Sequence, residues 1–193
     1  MKSRWLIGMF LAGWLSFCFA SDSEEPKEIL RDKSPDGKFA LRITNDEEGR
    51  SAAIVDLKSK EEIVALDVYQ SYTEQMHLVW SKDSQRVAYF EPDRRGGSTT
   101  VYFRNGDKFE VVELPELPEC KIQRANGETV VKAVEATTQP QKWLSSGALM
   151  LRVHSEELME KSDNQYGRPC TQIVTIAFDS NHKASVQSAK RTK

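Results

Sequence analysis

Three observations predict an all-β fold of three consecutive antiparallel β-meander, blade-like units, arranged as an open partial propeller or as compact stacked sheets. A polar turn leading into a short alternating run recurs at residues 34–41 (SPDGKFAL), 81–90 (SKDSQRVAYF) and 145–151 (SSGALML). The intervals that follow match in the first two copies: 18 residues separate Asp36 from Ile54, and 18 separate Asp83 from Val101. Val64 and Val111 then lie ten residues further on in each case. Period-two alternation is strand patterning, and similarity at fixed spacing marks a repeat architecture.

Within the first unit, Phe39, Leu41 and Ile43 share one face of a strand, and Lys38, Ala40 and Arg42 share the other. A second strand follows in AAIVDL and a third in IVAL, with Lys58-Ser59-Lys60 between them. The second unit repeats this as TTVYF and FEVVEL, joined across Asn105-Gly106, a pair that tolerates positive φ and so marks a tight hairpin. The third unit is stretched, with 26 residues from Gly147 to Ile173 and the extra length in residues 155–169 (SEELMEKSDNQYGRP), read as a loop. It resumes with CTQIVTIAF, a turn at DSNH and KASVQS.

The units span about residues 30–67, 77–115 and 141–188 of one domain at 30–188, with an insert at 116–140. Pro115 and Pro118 make the start of the insert extended, and residues 128–136 read as a short helix or an additional strand. Residues 21–29 and 189–193 read as frayed polar tails.

Ahead of the domain, residues 1–4 (MKSR) carry two positive charges, and residues 5–20 hold 13 apolar residues of 16 with no charge. Small residues occupy −3 and −1 of a cut between Ala20 and Ser21. This is the layout of a secretory signal peptide, and 16 residues fall short of the roughly 20 needed to span a bilayer. Cys18 follows Leu15-Ser16-Phe17, a faint lipoprotein box with a poor fit at Phe17, so lipidation at Cys18 is the minor variant. Cleavage leaves 173 residues of net charge −4, no transmembrane span and two cysteines, in a periplasmic or extracellular setting. Cys120 and Cys170 are then disulfide candidates, the alternative being two buried thiols.

The whole chain of 193 residues has 27 Lys+Arg against 29 Asp+Glu, a balance without the basic excess of a nucleic-acid binder. A hydrophobic content of 39% excludes a multi-pass membrane protein. No G-x-S-x-G nucleophile elbow, P-loop or Rossmann glycine fingerprint occurs. His77, His154 and His182 lie far apart, and the cysteines lack zinc-site spacing. Ser162-Asp163-Asn164 offers too few ligands for a calcium loop. The sequence therefore predicts no catalytic residue, metal or cofactor. Alternation puts His154 on the face of Met150 and Arg152, where a structural histidine is favoured over a catalytic one. Trp80 and Trp143 occupy equivalent repeat positions, where packing is favoured over ligand stacking.

One surface stands out. The connection between the first and second strands falls at residues 45–50 (NDEEGR), 91–98 (EPDRRGGS) and 155–169, so all three should emerge on one side. Each contains Gly and at least one Arg: Arg50, Arg94, Arg95 and Arg168. Loops on a rigid β scaffold are where binding commonly resides, and the alternative is a set of solvated turns.

These repeats resemble those of the TolB-type and WD-like β-propeller families, whose blades carry a Trp-Ser-Pro-Asp-Gly-Lys turn leading into an apolar strand. Residues 34–38 (SPDGK) match best, Trp80-Ser81-Lys82-Asp83 more weakly, and the third copy keeps Trp143 and Gly147 without Pro-Asp. The resemblance covers residues 30–115 and 141–188. Closed propellers have four to eight blades of roughly 40–45 residues, and 173 residues supply only three units. The resemblance implies an exported, non-enzymatic module that binds a protein or cell-envelope component. A monomer is expected. A homodimer closing the ring, and a hydrolase whose groups converge only in the fold, are the alternatives.

Overall fold

The computed structural model describes residues 27–46, 49–69, 73–94, 96–120, 129–161 and 164–192. Twelve strands are formed: β1 (Lys27–Arg31), β2 (Phe39–Asp46), β3 (Gly49–Asp56), β4 (Glu62–Leu66), β5 (His77–Trp80), β6 (Arg86–Glu91), β7 (Ser98–Asn105), β8 (Lys108–Val112), β9 (Thr129–Trp143), β10 (Leu149–Lys161), β11 (Asn164–Phe178) and β12 (Ala184–Arg191). They make three four-stranded antiparallel meanders, β1-β2-β3-β4, β5-β6-β7-β8 and β9-β10-β11-β12, which we call blades one, two and three.

Each blade opens with a strand ahead of the polar turn, so the repeat has four strands and not three. β1 takes in Lys27, Glu28 and Ile29 from the stretch read as a polar tail, pairing Ile29 with Ile43. β12 runs to Arg191, and the Thr192 amide donates to the Thr171 carbonyl at 2.9 Å, so this end is held in the sheet as well. Much of the insert is β9, whose ladder with β10 selects the strand reading of residues 129–136 over the helix. Residues 155–169 are likewise not a loop. Residues 155–161 and 164–169 extend β10 and β11, with Glu157 opposite Arg168 and Ser155 opposite Cys170. At the Asn-Gly signal, Asn105 pairs with Lys108, so Gly106 (φ +63) and Asp107 are the turn residues and Asn105 closes the ladder.

The blades stack face to face in chain order. Phe39, Leu41, Ile43 and Ile54 of blade one pack with Leu78, Val87, Tyr89 and Phe109 of blade two. On the opposite face of blade two, Ala88, Val101 and Phe103 pack with Leu149, Leu151, Val174 and Ile176 of blade three. The middle blade is thus covered on both faces, which is why residues 87–90 (VAYF) read as a continuous apolar run.

The recurrent turn closes with the same bonds in the first two blades. Ser34 Oγ donates to Asp36 Oδ1 (2.6 Å) and accepts from the Phe39 amide (3.0 Å). Ser81 Oγ donates to Asp83 Oδ1 (2.6 Å) and accepts from the Arg86 amide (2.9 Å). Each aspartate also accepts a backbone amide two residues on, from Lys38 or Gln85. The fourth turn residue has positive φ in each, at Gly37 (+72) and Ser84 (+58). In the third blade Leu144 takes the place of the serine, with its amide bonded to the Ala148 carbonyl and Gly147 at φ +83, without a side-chain acceptor.

These bonds make a pH prediction. Partial burial opposes ionisation of Asp36, yet the Ser34 hydroxyl, the Lys38 amide and the Lys38 and Arg104 charges outweigh it and hold the carboxyl below its usual range. For Asp83, burial is outweighed in the same way by Ser81, the Gln85 amide and Arg86. A lowered folded value stabilises above the unfolded value of about 3.9, and that stabilisation is lost as pH falls through the folded value. Asp83→Ala is expected to cost about 1 kcal/mol at pH 7. Urea midpoints of wild type and variant should converge as pH falls below the usual carboxylate range, and a gap that stays constant with pH refutes the assignment.

Candidate functional site

The two ends of the stack differ. At the end carrying the recurrent turns, the blades are bonded to one another. Trp80 Nε1 donates to the Asp32 carbonyl (2.7 Å), and Trp143 Nε1 donates to the Val79 carbonyl (2.8 Å), so each indole reaches back to the first strand of the preceding blade or the residue just after it. Asp32 also accepts the Leu78 amide (2.9 Å), and Ser84 Oγ accepts the Asp36 amide (3.0 Å). Arg104 lies 4.9 Å over the Phe39 ring and 3.7 Å from the Asp36 carboxylate. Arg86 Nη1 donates to the Gly147 carbonyl (2.8 Å), its guanidinium 5.3 Å over Phe103 and 5.9 Å over Trp143. This end is committed to holding the blades together.

At the opposite end β2 is followed by β3, β6 by β7 and β10 by β11, with Asp46 paired to Gly49, Glu91 to Ser98 and Lys161 to Asn164. The topology therefore brings these three connections to one end, and the middle one is the longest between strand ends. Arg50 lies in β3 with its Nε donating to Asn45 Oδ1 on the same hairpin (3.3 Å). Arg94 is exposed in the β6–β7 connection, and Arg95 lies outside the described residues. Arg168 sits within β11, its guanidinium 5.5 Å over the Tyr166 ring, away from the hairpin tip. Arg50 and Arg168 are each engaged within their own hairpin or strand, so the arginines share an end without forming a cluster. Ala20, Ser21 and Cys18 also lie outside the described residues.

Blades two and three meet closely near this end. The Thr138 amide donates to the Gly97 carbonyl (3.0 Å), while the Thr99 amide and hydroxyl donate to the Thr138 hydroxyl and carbonyl (2.9 Å each). Gly96 permits the approach: at φ +140, a Cβ there would lie 2.9 Å from the Thr137 side chain. Because Thr99, near the start of β7, is level with Thr138, the outer halves of β9, β10 and β11 project past blade two. Residues 155–161 alone add roughly 20 Å at about 3.3 Å per residue. At the base of this projection the linker after β8 crosses blade three. Leu114 and Leu117 pack on its core, Pro118 accepts from Gln172 Nε2 (2.6 Å), and Cys120 is joined to Cys170 across a Cα separation of 6.1 Å.

A cleft of about 600 Å³ opens where blades two and three part, lined by Gln75, His77, Phe90 and Gly96 on one side and Thr137, Gln139, Arg152 and His154 on the other. His77 Nδ1 bonds to the Gln75 carbonyl (2.9 Å), its ring 5.1 Å from Phe90. His154 Nδ1 bonds to Thr171 Oγ1 (3.0 Å). Neither imidazole is paired with a serine, cysteine or carboxylate among the described residues, so the pairing a hydrolase would need is not assembled there. The carboxylates of this end gather elsewhere. Burial pushes the Glu91 carboxyl up, and the neighbouring charges of Asp67 and Asp93 push it the same way. Among the described residues no group of three or more His, Cys, Asp or Glu is placed to hold a metal ion, and no helix is long and apolar enough to cross a membrane.

Fold and site together define a three-blade, all-β repeat domain with one end bonded shut and one end open. No family model and no curated protein matches the chain. Among solved structures, the crystal structure of TolB from Acinetobacter baumannii is similar with a TM-score of 0.34 and 10% identity, over 89% of this chain. The chain spans 46% of that structure's length.

Proposed function

We propose that residues 21–193 form an exported, non-enzymatic binding module that captures a protein or cell-envelope component through the open end. The observation that carries this reading is the asymmetry between the ends. The turn end is occupied by bonds between blades, whereas the open end offers a cleft, a projecting hairpin and the exposed Arg94. The leader pattern of residues 1–20, with cleavage after Ala20, and the Cys120–Cys170 pairing support export, since disulfides persist in oxidising compartments.

The module acts as a monomer on this reading. Lys33 is exposed where the next repeat has Trp80, so blade one lacks the indole that would reach back to a further blade. The face of blade three opposite its core carries Thr171, Thr175 and Lys190 beside Met150 and Ile173, so polar side chains interrupt its apolar surface. Polar outer faces are how terminal repeats end an array. On blade one, Arg42 crosses β3 to reach Glu62 (3.1 Å), laying charge over the outer face.

The test is capture from the native envelope fraction by the processed chain, identified by mass spectrometry and monitored by light scattering. One species, competed by free module and lost in the Arg94→Glu/Arg95→Glu variant at unchanged melting temperature, is the expected result. Equal capture by the variant, or a stable dimer of the free chain, overturns the corresponding part of the reading.

A further inference from the structure

We propose that the cleft between blades two and three is a subsite for a carboxylate group presented by a peptide, which deepens the binding reading by giving the chemistry of one contact. Arg152 and His154 lie two apart on one face of β10, opposite Gln139 and Thr137 of β9. Arg152 is exposed, and among the described residues it has neither a carboxylate nor a hydrogen-bond acceptor and no carboxylate lines the cleft. A guanidinium, two imidazoles, two primary amides and a hydroxyl therefore converge without a counter-charge.

That composition decides the ligand class. A fixed positive charge beside two histidines disfavours a cation, although imidazoles alone could ligate one. A single planar fork matches the two oxygens of a carboxylate. Phosphate sites more commonly gather several cations or a nest of backbone amides. A volume of about 600 Å³ exceeds one carboxylate and falls in the range of small-ligand sites. Phe90 gives an apolar wall, and the side chains of Gln75, Gln139 and Thr137 can meet the flanking peptide groups. His77 Nδ1 is spent on the Gln75 carbonyl, which leaves Nε2 uncommitted among the described residues.

The chain has three histidines, and His182 lies at the turn end, 4.6 Å from Phe103, so it serves as an internal reference. The experiment follows the histidine ring resonances of the full chain, as expressed and processed by the cell, by NMR in the presence of a chelator. The probes are acetyl-Ala-Ala-Ala with a free C-terminus, acetyl-Ala-Glu-Ala amide, acetyl-Ala-Ala-Ala amide and inorganic phosphate. His77 and His154 are expected to shift saturably with one or both carboxylate peptides, while His182 stays fixed. The response to the first two probes distinguishes a chain end from an acidic side chain.

Arg152→Gln should weaken the response at least tenfold, with partial recovery in Arg152→Lys, and unchanged urea midpoints will show that both variants fold. An equal response to the neutral amide, an unaltered titration in Arg152→Gln, or saturation by phosphate alone overturns the assignment. Loss of capture in the Arg94→Glu/Arg95→Glu variant with a silent cleft would defeat this inference while leaving the binding reading standing. A responsive cleft without capture would do the reverse.

Discussion

Trp80→Ala is expected to lower stability by about 3–4 kcal/mol, which for a chain of this length is a fall in Tm of roughly 10 °C. Two losses add. The indole packs on Phe39 (6.1 Å between centroids) and Phe109 (5.7 Å), so its removal opens a void at the junction of blades one and two. It also leaves the Asp32 carbonyl without its indole partner. Trp80→Phe separates the two terms, because a ring still fills the junction while the donor is gone. It should cost about 1–2 kcal/mol. Denaturation followed by circular dichroism would check both values. Equal costs for the two variants would mean that the hydrogen bond, and not the packing, holds the junction.

Breaking the Cys120–Cys170 link is the second large effect. The bond closes a separation of 50 residues, and loop-closure entropy for that length is worth about 4 kcal/mol. The double variant Cys120→Ser/Cys170→Ser avoids leaving a single thiol, and should unfold at a urea concentration lower by that amount divided by the m value. Reduction of wild type should reach the same midpoint. The effect has a local part as well, since the link and the Gln172–Pro118 bond pin the linker across the base of the projecting strands. Proteolysis within residues 113–120 should therefore appear on reduction before global unfolding. Identical midpoints with and without reductant would show that the bond does not stabilise the fold.

What could be read in advance follows from how local each feature is. The recurrent turn was legible because Ser34, Asp36 and Gly37 satisfy one another within six residues, and Ser81 and Asp83 repeat the arrangement. The spacing of β2 to β4 and β6 to β8 was legible for the same reason. β1 (KEILR) and β5 (HLVW) were not, because they are short edge strands of five and four residues whose partners lie beyond the turn. The outer half of β10 read as a loop because its apolar residues, Leu158 and Met159, are adjacent among acids and show no period-two alternation, although Met159 is fully buried.

The candidate site divides in the same way. Alternation already placed Arg152 and His154 on one face with Met150. Nothing local could show that Gln75 and His77, more than 70 residues earlier, would form the facing wall. Of the arginines expected in the connections, Arg50 and Arg168 are engaged within their own hairpin or strand and Arg94 is exposed. Their common topological position does not by itself make a cluster.

The direction of the indole bonds bears on how the chain assembles. Trp80 and Trp143 each bond a carbonyl already present in the preceding blade, while their ring packing on Phe109 and Phe178 waits for the rest of their own blade. A chain that emerges N-terminus first, from a ribosome or through a membrane pore, can therefore complete blade one, dock the first strand of blade two onto it through Trp80, and add blade three in turn. Order of appearance and order of closure coincide, so the apolar face of each new sheet has a waiting partner instead of a neighbouring molecule.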